Sequence, residues 1–173
     1  MNWSKSTPVS DEITLIPNPN NTSQDILGKG VRDRLNSFNL DGSNYAEVAD
    51  DADLNFGTGA FTMECWVKAD FVNTGSGFNN IFILGGEIAD TNTASISINS
   101  TKLLSLVSDK TLTADNNYTI GDWYHVCVTR DDNNLCTLYI DAQAQADTET
   151  TSASITNTST KLIGRDSLTT RFY

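Results

Sequence analysis

The chain has 173 residues, 38 % of them hydrophobic and 19 % charged. That is enough apolar material for one ordinary domain and excludes a globally disordered chain. A net charge of −11 argues against nucleic acid or an anionic membrane surface as partner, and no apolar run approaches the roughly 18–20 residues of a membrane span.

Residues 1–35 read as an arm. Pro8, Pro17 and Pro19 are the only prolines in the chain. They stand among Asn, Ser and Thr around one short apolar run, Ile13-Thr-Leu-Ile16. The opening residues lack the apolar stretch of a secretory signal, so none is expected. The arm is either a flexible tail or a tether to a partner protein. Ile13, Leu15 and Ile16 favour the tether and are its candidate partner-binding residues, because a purely flexible tail does not need them.

From residue 36 to residue 173 the pattern is strand after strand. Residues 37–40 alternate, a turn follows at 41–44, and residues 45–48 form a second short run. Residues 61–67 alternate with Phe61, Met63, Cys65 and Val67 on one face and Trp66 on the other. The continuous apolar run at 80–84 predicts a strand buried on both sides. Residues 95–98 and 103–107 read as a hairpin turning at 99–102. Residues 123–130 and 135–140, joined by Asp131-Asp-Asn-Asn134, are the clearest hairpin. If Val126 and Val128 face the core opposite Leu138 and Ile140, alternation brings Cys136 inward and turns His125 and Cys127 outward. The three cysteines, Cys65, Cys127 and Cys136, then read as reduced thiols. Their odd number and spacing give neither a disulfide framework nor a zinc site. With no helical period of any length, the expected fold is all-β: a two-sheet antiparallel jelly-roll sandwich behind an extended N-terminal arm.

Several blocks, in order, resemble the laminin G-like, concanavalin A-like lectin/glucanase family. Phe38-Asn-Leu-Asp-Gly-Ser-Asn-Tyr-Ala-Glu-Val48 is similar to its opening strand and turn. Phe61-Thr-Met-Glu-Cys-Trp-Val67 resembles its Phe-Thr-Ile-Glu-x-Trp-Val strand. Trp123-Tyr-His-Val126 with Leu138-Tyr-Ile-Asp141 resembles its Trp-x-His-Val and Leu-Tyr-Ile-Asp-Gly hairpin, and Leu162-Ile-Gly164 its late strand. Two departures stand out. Ala142 replaces the glycine that follows the hairpin aspartate. No counterpart of the family's closing Phe-x-Gly-x-Ile-Asp-Glu-Val-Arg strand appears before Arg171-Phe-Tyr173. The expectation is a fragment of a longer chain; the alternatives are that the arm strand or a neighbouring subunit fills the gap by strand addition.

The fold implied by the resemblance hosts glycosidases as well as lectins, but retaining hydrolysis needs two carboxyls about 5–5.5 Å apart. No Glu-x-Asp-x-Glu run supplies them. Glu64 is alone on its strand, and His125, the only histidine, reads as a sheet residue. No enzyme activity, no metal site and no cofactor are expected. Calcium at the acidic turns 50–53 or 131–134 is the one exception weighed. The Gly/Asn-rich loop at 70–80 and the residues before 95 offer candidate carbohydrate contacts: Asn73, Phe78, Asn79, Asn80, Asp90 and Asn92. Two functions compete. One is a non-catalytic structural or adhesion protein of a virion surface, a fibre or capsid-decoration component of a bacterial virus. Its arm would bind other virion or assembly proteins, and its assembly would be oligomeric. The other is a carbohydrate-binding lectin module, with or without calcium dependence, of an extracellular bacterial protein at the cell surface. Both leave room for cell-surface glycans as partners.

Overall fold

A computed structural model of the chain describes residues 14–16, 38–40, 44–70, 78–85 and 90–165. Eleven strands occur among them, with one single-turn 3-10 helix at Ala52–Leu54. The strands are β1 (Thr14–Ile16), β2 (Tyr45–Val48), β3 (Phe61–Lys68), β4 (Asn79–Ile83), β5 (Ala94–Ile98), β6 (Leu103–Val107), β7 (Lys110–Thr113), β8 (Trp123–Arg130), β9 (Leu135–Ile140), β10 (Gln143–Thr150) and β11 (Lys161–Ile163). They form two antiparallel sheets, one ordered β1-β2-β11-β4-β5-β6-β7 and the other β10-β9-β8-β3. The expected jelly-roll sandwich is the architecture observed.

The pleat decides what faces inward. Along β3, Phe61, Met63 and Val67 are buried while Thr62, Glu64 and Trp66 are exposed. Val126 pairs with Ile140, Val128 with Leu138 and Arg130 with Cys136, so all six share one face. Val126, Val128, Leu138 and Cys136 have no exposure at all. Burying each aliphatic side chain of this size stabilises the fold by about 1.5–3 kcal/mol. Ile96, Ile98, Leu103, Val107 and Leu112 of the larger sheet close the core from the other side. β4 is covered on both faces, as its unbroken apolar run predicts. A bulge between Asn80 and Phe82 turns Ile81 to the main core, and Ile83 falls in a second apolar cluster with Leu104, Leu106 and Leu162.

Three features differ from the sequence expectations. Residues 38–40 are irregular rather than a strand, and Leu40 is used as a core side chain. It packs beside Gly164, whose φ of +89° and lack of a side chain both matter: a Cβ there would lie 2.7 Å from Leu40 Cδ1. The Thr- and Gln-rich segment 143–150 is strand β10 and residues 110–113 are β7, neither of which the sequence pattern marks as a strand. Neither carries the apolar alternation that marks a strand in sequence, because both are held mainly by ladder hydrogen bonds to better-patterned neighbours. Next to β2, on the edge away from β11, lies β1, with Thr14 opposite Glu47 and Ile16 opposite Tyr45. A strand from the arm thus occupies the sheet edge there. Ile13 lies outside the described residues.

The connections β2–β3 and β10–β11 both cross from one sheet to the other. They are bound to each other where Gly57 and Ile155 exchange backbone hydrogen bonds of 3.0 and 2.8 Å. Arg130, only 1 % exposed, clamps this junction. Its guanidinium donates to the carbonyls of Gly59 (2.9 and 2.7 Å), Gly57 (2.7 Å) and Ala153 (2.7 Å). It also sits 5.1 Å from the centre of the Phe61 ring, which is itself stacked on Phe56. No carboxylate joins this set, and desolvation lowers the Arg130 pKa from its ordinary value. Replacing Arg130 by Met keeps most of the volume but takes the donor from the Gly59 and Ala153 carbonyls and leaves Gly57 only its bond from Ile155. Stability should fall by about 3–5 kcal/mol, read as the midpoint shift in urea unfolding, and Arg130→Lys should recover only part of it.

Ile140 pairs with Gln143, which leaves a two-residue turn, Asp141-Ala142, with φ of +49° and +64°. These are the signs of a type I′ hairpin turn. The missing glycine noted in the sequence therefore does not change the turn; Ala142 carries the left-handed conformation instead. Asp141 compensates, accepting from the His125 backbone N–H at 2.8 Å and donating its own N–H to the His125 carbonyl at 2.9 Å. Ala142→Gly should raise stability by about 0.5–1 kcal/mol, seen as a higher melting temperature with unchanged circular dichroism.

Candidate functional site

The polar residues expected to contact a ligand are distributed by the fold in two directions. Asn79 and Asn80 belong to β4 rather than to a loop. Asn80 is fully buried on the outward side of the larger sheet, where Ser97 Oγ donates to its Oδ1 at 2.7 Å and Ser95 Oγ lies 3.2 Å from Ser97 Oγ. Among the described residues, the Asn80 Nδ2 group has no hydrogen-bond partner. Phe78 is half-buried and packs against the second apolar cluster. Asn73 lies outside the described residues.

Asp90 and Asn92 are brought together. Asn157 Nδ2 donates to Asp90 Oδ2 and to Asn92 Oδ1, both at 3.0 Å. Asn157 is held in turn by the N–H of Ser159, 2.8 Å from its Oδ1. Its carbonyl accepts from the ammonium of Lys161, which also donates to Ser159 O at 2.9 Å and to Asp50 Oδ1 at 2.8 Å. Lys161 is a buried cation, its side chain 2 % exposed, satisfied by one carboxylate and two carbonyls. A chain of contacts thus runs Asp50, Lys161, Asn157, then Asp90 and Asn92, at the rim where β4, β5 and β11 end. Asp90 and Asn92 remain half-exposed there. The sequence reading names Asp90 and Asn92 as candidates but not Asn157, Lys161 or Gly85, whose contacts with Asp90, Asn92, Asp50 and Asn157 span long stretches of chain. Gly85 has room for no side chain: a Cβ would meet Thr93 Oγ1 at 2.6 Å and Asn157 Cγ at 2.7 Å.

The acidic turns are engaged in local structure. Asp51 Oδ1 accepts from the Asp53 N–H at 2.9 Å and caps the 3-10 helix. Asp131 Oδ1 accepts from the N–H groups of Asn133 and Leu135 at 2.9 and 2.8 Å, closing the hairpin turn. Among the described residues, no three His, Cys, Asp or Glu side chains gather as a metal site would require.

The outward face of β3 and β8 holds the other chemically distinctive group. Glu64 Oε2 lies 3.4 Å from His125 Nε2, and the His125 ring centre is 5.3 Å from that of Trp66. A second carboxylate is not opposite Glu64; Cys127 is. All three thiols resist ionisation. Burial, then the charges of Cys127 and Glu64, push Cys65 up to about 12. Cys127 and Cys136 are also raised, chiefly by burial.

A family model of the concanavalin A-like lectin/glucanases superfamily, Laminin G 3, matches residues 40–173, and the chain belongs to that family. No curated protein sequence matches it. Among solved structures it is similar to the binding domain of Paraclostridial Mosquitocidal Protein 1 (TM-score 0.56, 17 % identity, 74 % of this chain and 35 % of that one). It is also similar to a putative carbohydrate binding protein from Bacteroides ovatus (TM-score 0.55, 18 % identity, 70 % and 34 %). A third likeness is to domains LG4-5 of the mouse laminin alpha1 chain (TM-score 0.52, 15 % identity, 77 % and 36 %). The chain spans about a third of the length of each of these solved chains. At such identities the likeness is one of fold.

The rim network depends on Gly85. Gly85→Ala forces the Asn157 amide or the Thr93 hydroxyl aside and should cost about 1–3 kcal/mol. Faster amide hydrogen exchange at residues 157–161, beyond that of the rest of β11, would report the loosened rim.

Proposed function

We propose that this chain is a non-catalytic adhesion module, a lectin-like β-sandwich that binds carbohydrate on behalf of a larger assembly. The observation that carries the reading is the rim. Asp90 and Asn92 stand side by side, half-exposed, on a support of Asn157 and Lys161 that is already hydrogen-bonded. A preorganised pair of polar groups on a stiff sheet end loses little entropy when it meets sugar hydroxyls. Hydrolysis asks for something different, two carboxyls in register across a bond, and Glu64 stands with His125 rather than with another acid. Two of the similar folds are described as a binding domain and a putative carbohydrate binding protein, which supports binding over catalysis.

The assembly we favour is a virion surface, with the sandwich displayed outward and residues 1–35 engaging other structural proteins through Ile13, Leu15 and Ile16. The alternative is a cell-surface lectin of an extracellular bacterial protein. In both, binding needs no cofactor. Immobilised glycans should retain the protein equally with calcium or with EDTA, and Asn92→Ala should weaken retention about tenfold, the worth of one or two hydrogen bonds. Failure of every glycan to retain the protein would end the carbohydrate reading. Replacing Ile13, Leu15 and Ile16 together by Ser, which keeps the backbone of β1, should abolish incorporation into the parent particle or complex while leaving glycan binding in place.

A further inference from the structure

We propose that the outward face of the four-stranded sheet, centred on Trp66, His125 and Glu64, is a second carbohydrate-contacting surface, separate from the rim and shaped for a neutral glycan. It rests on the carbohydrate-binding reading above.

Strand register lays the face out in rows. Thr62, Thr129, Thr137 and Thr148 stand in line across β3, β8, β9 and β10. The next row is Glu64, Cys127, Tyr139 and Ala144. Then come Trp66 beside His125, and Lys68 beside Trp123. Trp66 is 64 % exposed and Trp123 48 %, the two highest values among exposed large hydrophobics of the described residues. Neither indole is recruited by the core, which the alternation of β3 and β8 fills from their other side. As diagonal neighbours on adjacent strands the two tryptophans are about 7–8 Å apart at the backbone, within the span of neighbouring sugar rings. The C–H face of a pyranose or furanose ring carries slight positive charge and packs on the electron-rich face of an aromatic ring. Glu64 accepts hydrogen bonds, and the threonine row both donates and accepts, so ring contact and hydroxyl recognition are available on one flat surface.

Charge selects the ligand class. The chain carries −11, and Glu64 stands in the middle of the face, so sulfated or carboxylated sugars are repelled and neutral ones are not. A second copy of the chain fits the face less well. Two copies bring together two charges of −11, and Glu64, His125 and Lys68 interleave with the indoles, whereas the centre of a stable interface is depleted in charge.

Intrinsic tryptophan fluorescence, titrated with maltotriose, cellotriose, N-acetylchitotriose and arabinotriose, tests the face alongside retention on a neutral-glycan array. Trp66→Ala should weaken binding of the retained sugar about tenfold, with Trp66→Phe regaining most of it. Since Trp66 is exposed, both variants should keep the parent circular dichroism and melting temperature. Undiminished binding by Trp66→Ala and by Trp123→Ala would overturn the second surface and leave the carbohydrate reading standing. Wild-type protein retained by no glycan would overturn both. Concentration-dependent dimers in sedimentation, abolished by Trp66→Ala without any sugar binding, would overturn it in favour of self-association.

Discussion

The buried guanidinium of Arg130 is the constraint on which the sandwich depends. Two sheets can stack only if the chain passes between them, and here the β2–β3 and β10–β11 connections do so side by side. Crossing backbone leaves the sheet ladders, and its partly buried carbonyls need donors from elsewhere. Arg130 supplies donors for Gly57, Gly59 and Ala153 from the end of β8. A single planar, permanently charged group suits this better than several neutral ones, because its N–H donors point outward from one fixed plane. The cost of burying its charge is offset by the carbonyl dipoles and by the Phe61 ring.

Lys161 repeats the logic at the opposite kind of position. There the loop between β10 and β11 folds back, and the ammonium gathers the carbonyls of Asn157 and Ser159 with the Asp50 carboxylate. The chain thus stiffens its irregular segments with buried cations rather than with disulfides or regular structure. That arrangement fixes Asn157, and through it Asp90 and Asn92.

The two outward faces of the sandwich are unlike. On the larger sheet, Ile83, Leu104, Leu106 and Leu162 are buried, as are Asn80, Ser95 and Ser97. On the smaller sheet, indoles, a carboxylate, an imidazole and a row of threonines meet solvent. Apolar burial on both sides of β4 and β6 makes the larger sheet the structural slab. The smaller sheet, packed on one side alone, is left free to carry side chains chosen for something other than stability.

Alternation made the central strands readable in advance. Residues 61–67 and the 123–140 hairpin carry a clean period of two, and the register with Val126, Val128, Leu138 and Cys136 inward is the one found. The orientation of Trp66 away from the core was legible for the same reason, though not its partners. β7 and β10 were illegible because their residues are polar, and polar residues show no period even when the backbone is fully paired. Asn80 opened the run read as a strand as well as closing the loop before it, and it is the pairing of Asn79 with Ile98 and of Asn80 with Ser97 that places both in β4.

The sequence by itself determined the two-layer all-β class, the inward and outward faces of the best-patterned strands, and the lack of a Glu-x-Asp-x-Glu run. Tertiary structure alone decided which distant groups meet: Arg130 with Gly57, Gly59 and Ala153, Lys161 with Asp50, and Asn157 with Asp90 and Asn92. Local pattern records the preference of a residue for core or solvent. It holds no information about which of many polar groups, from 23 to 111 residues away, a buried donor will find, because that follows from how the crossing connections are stacked.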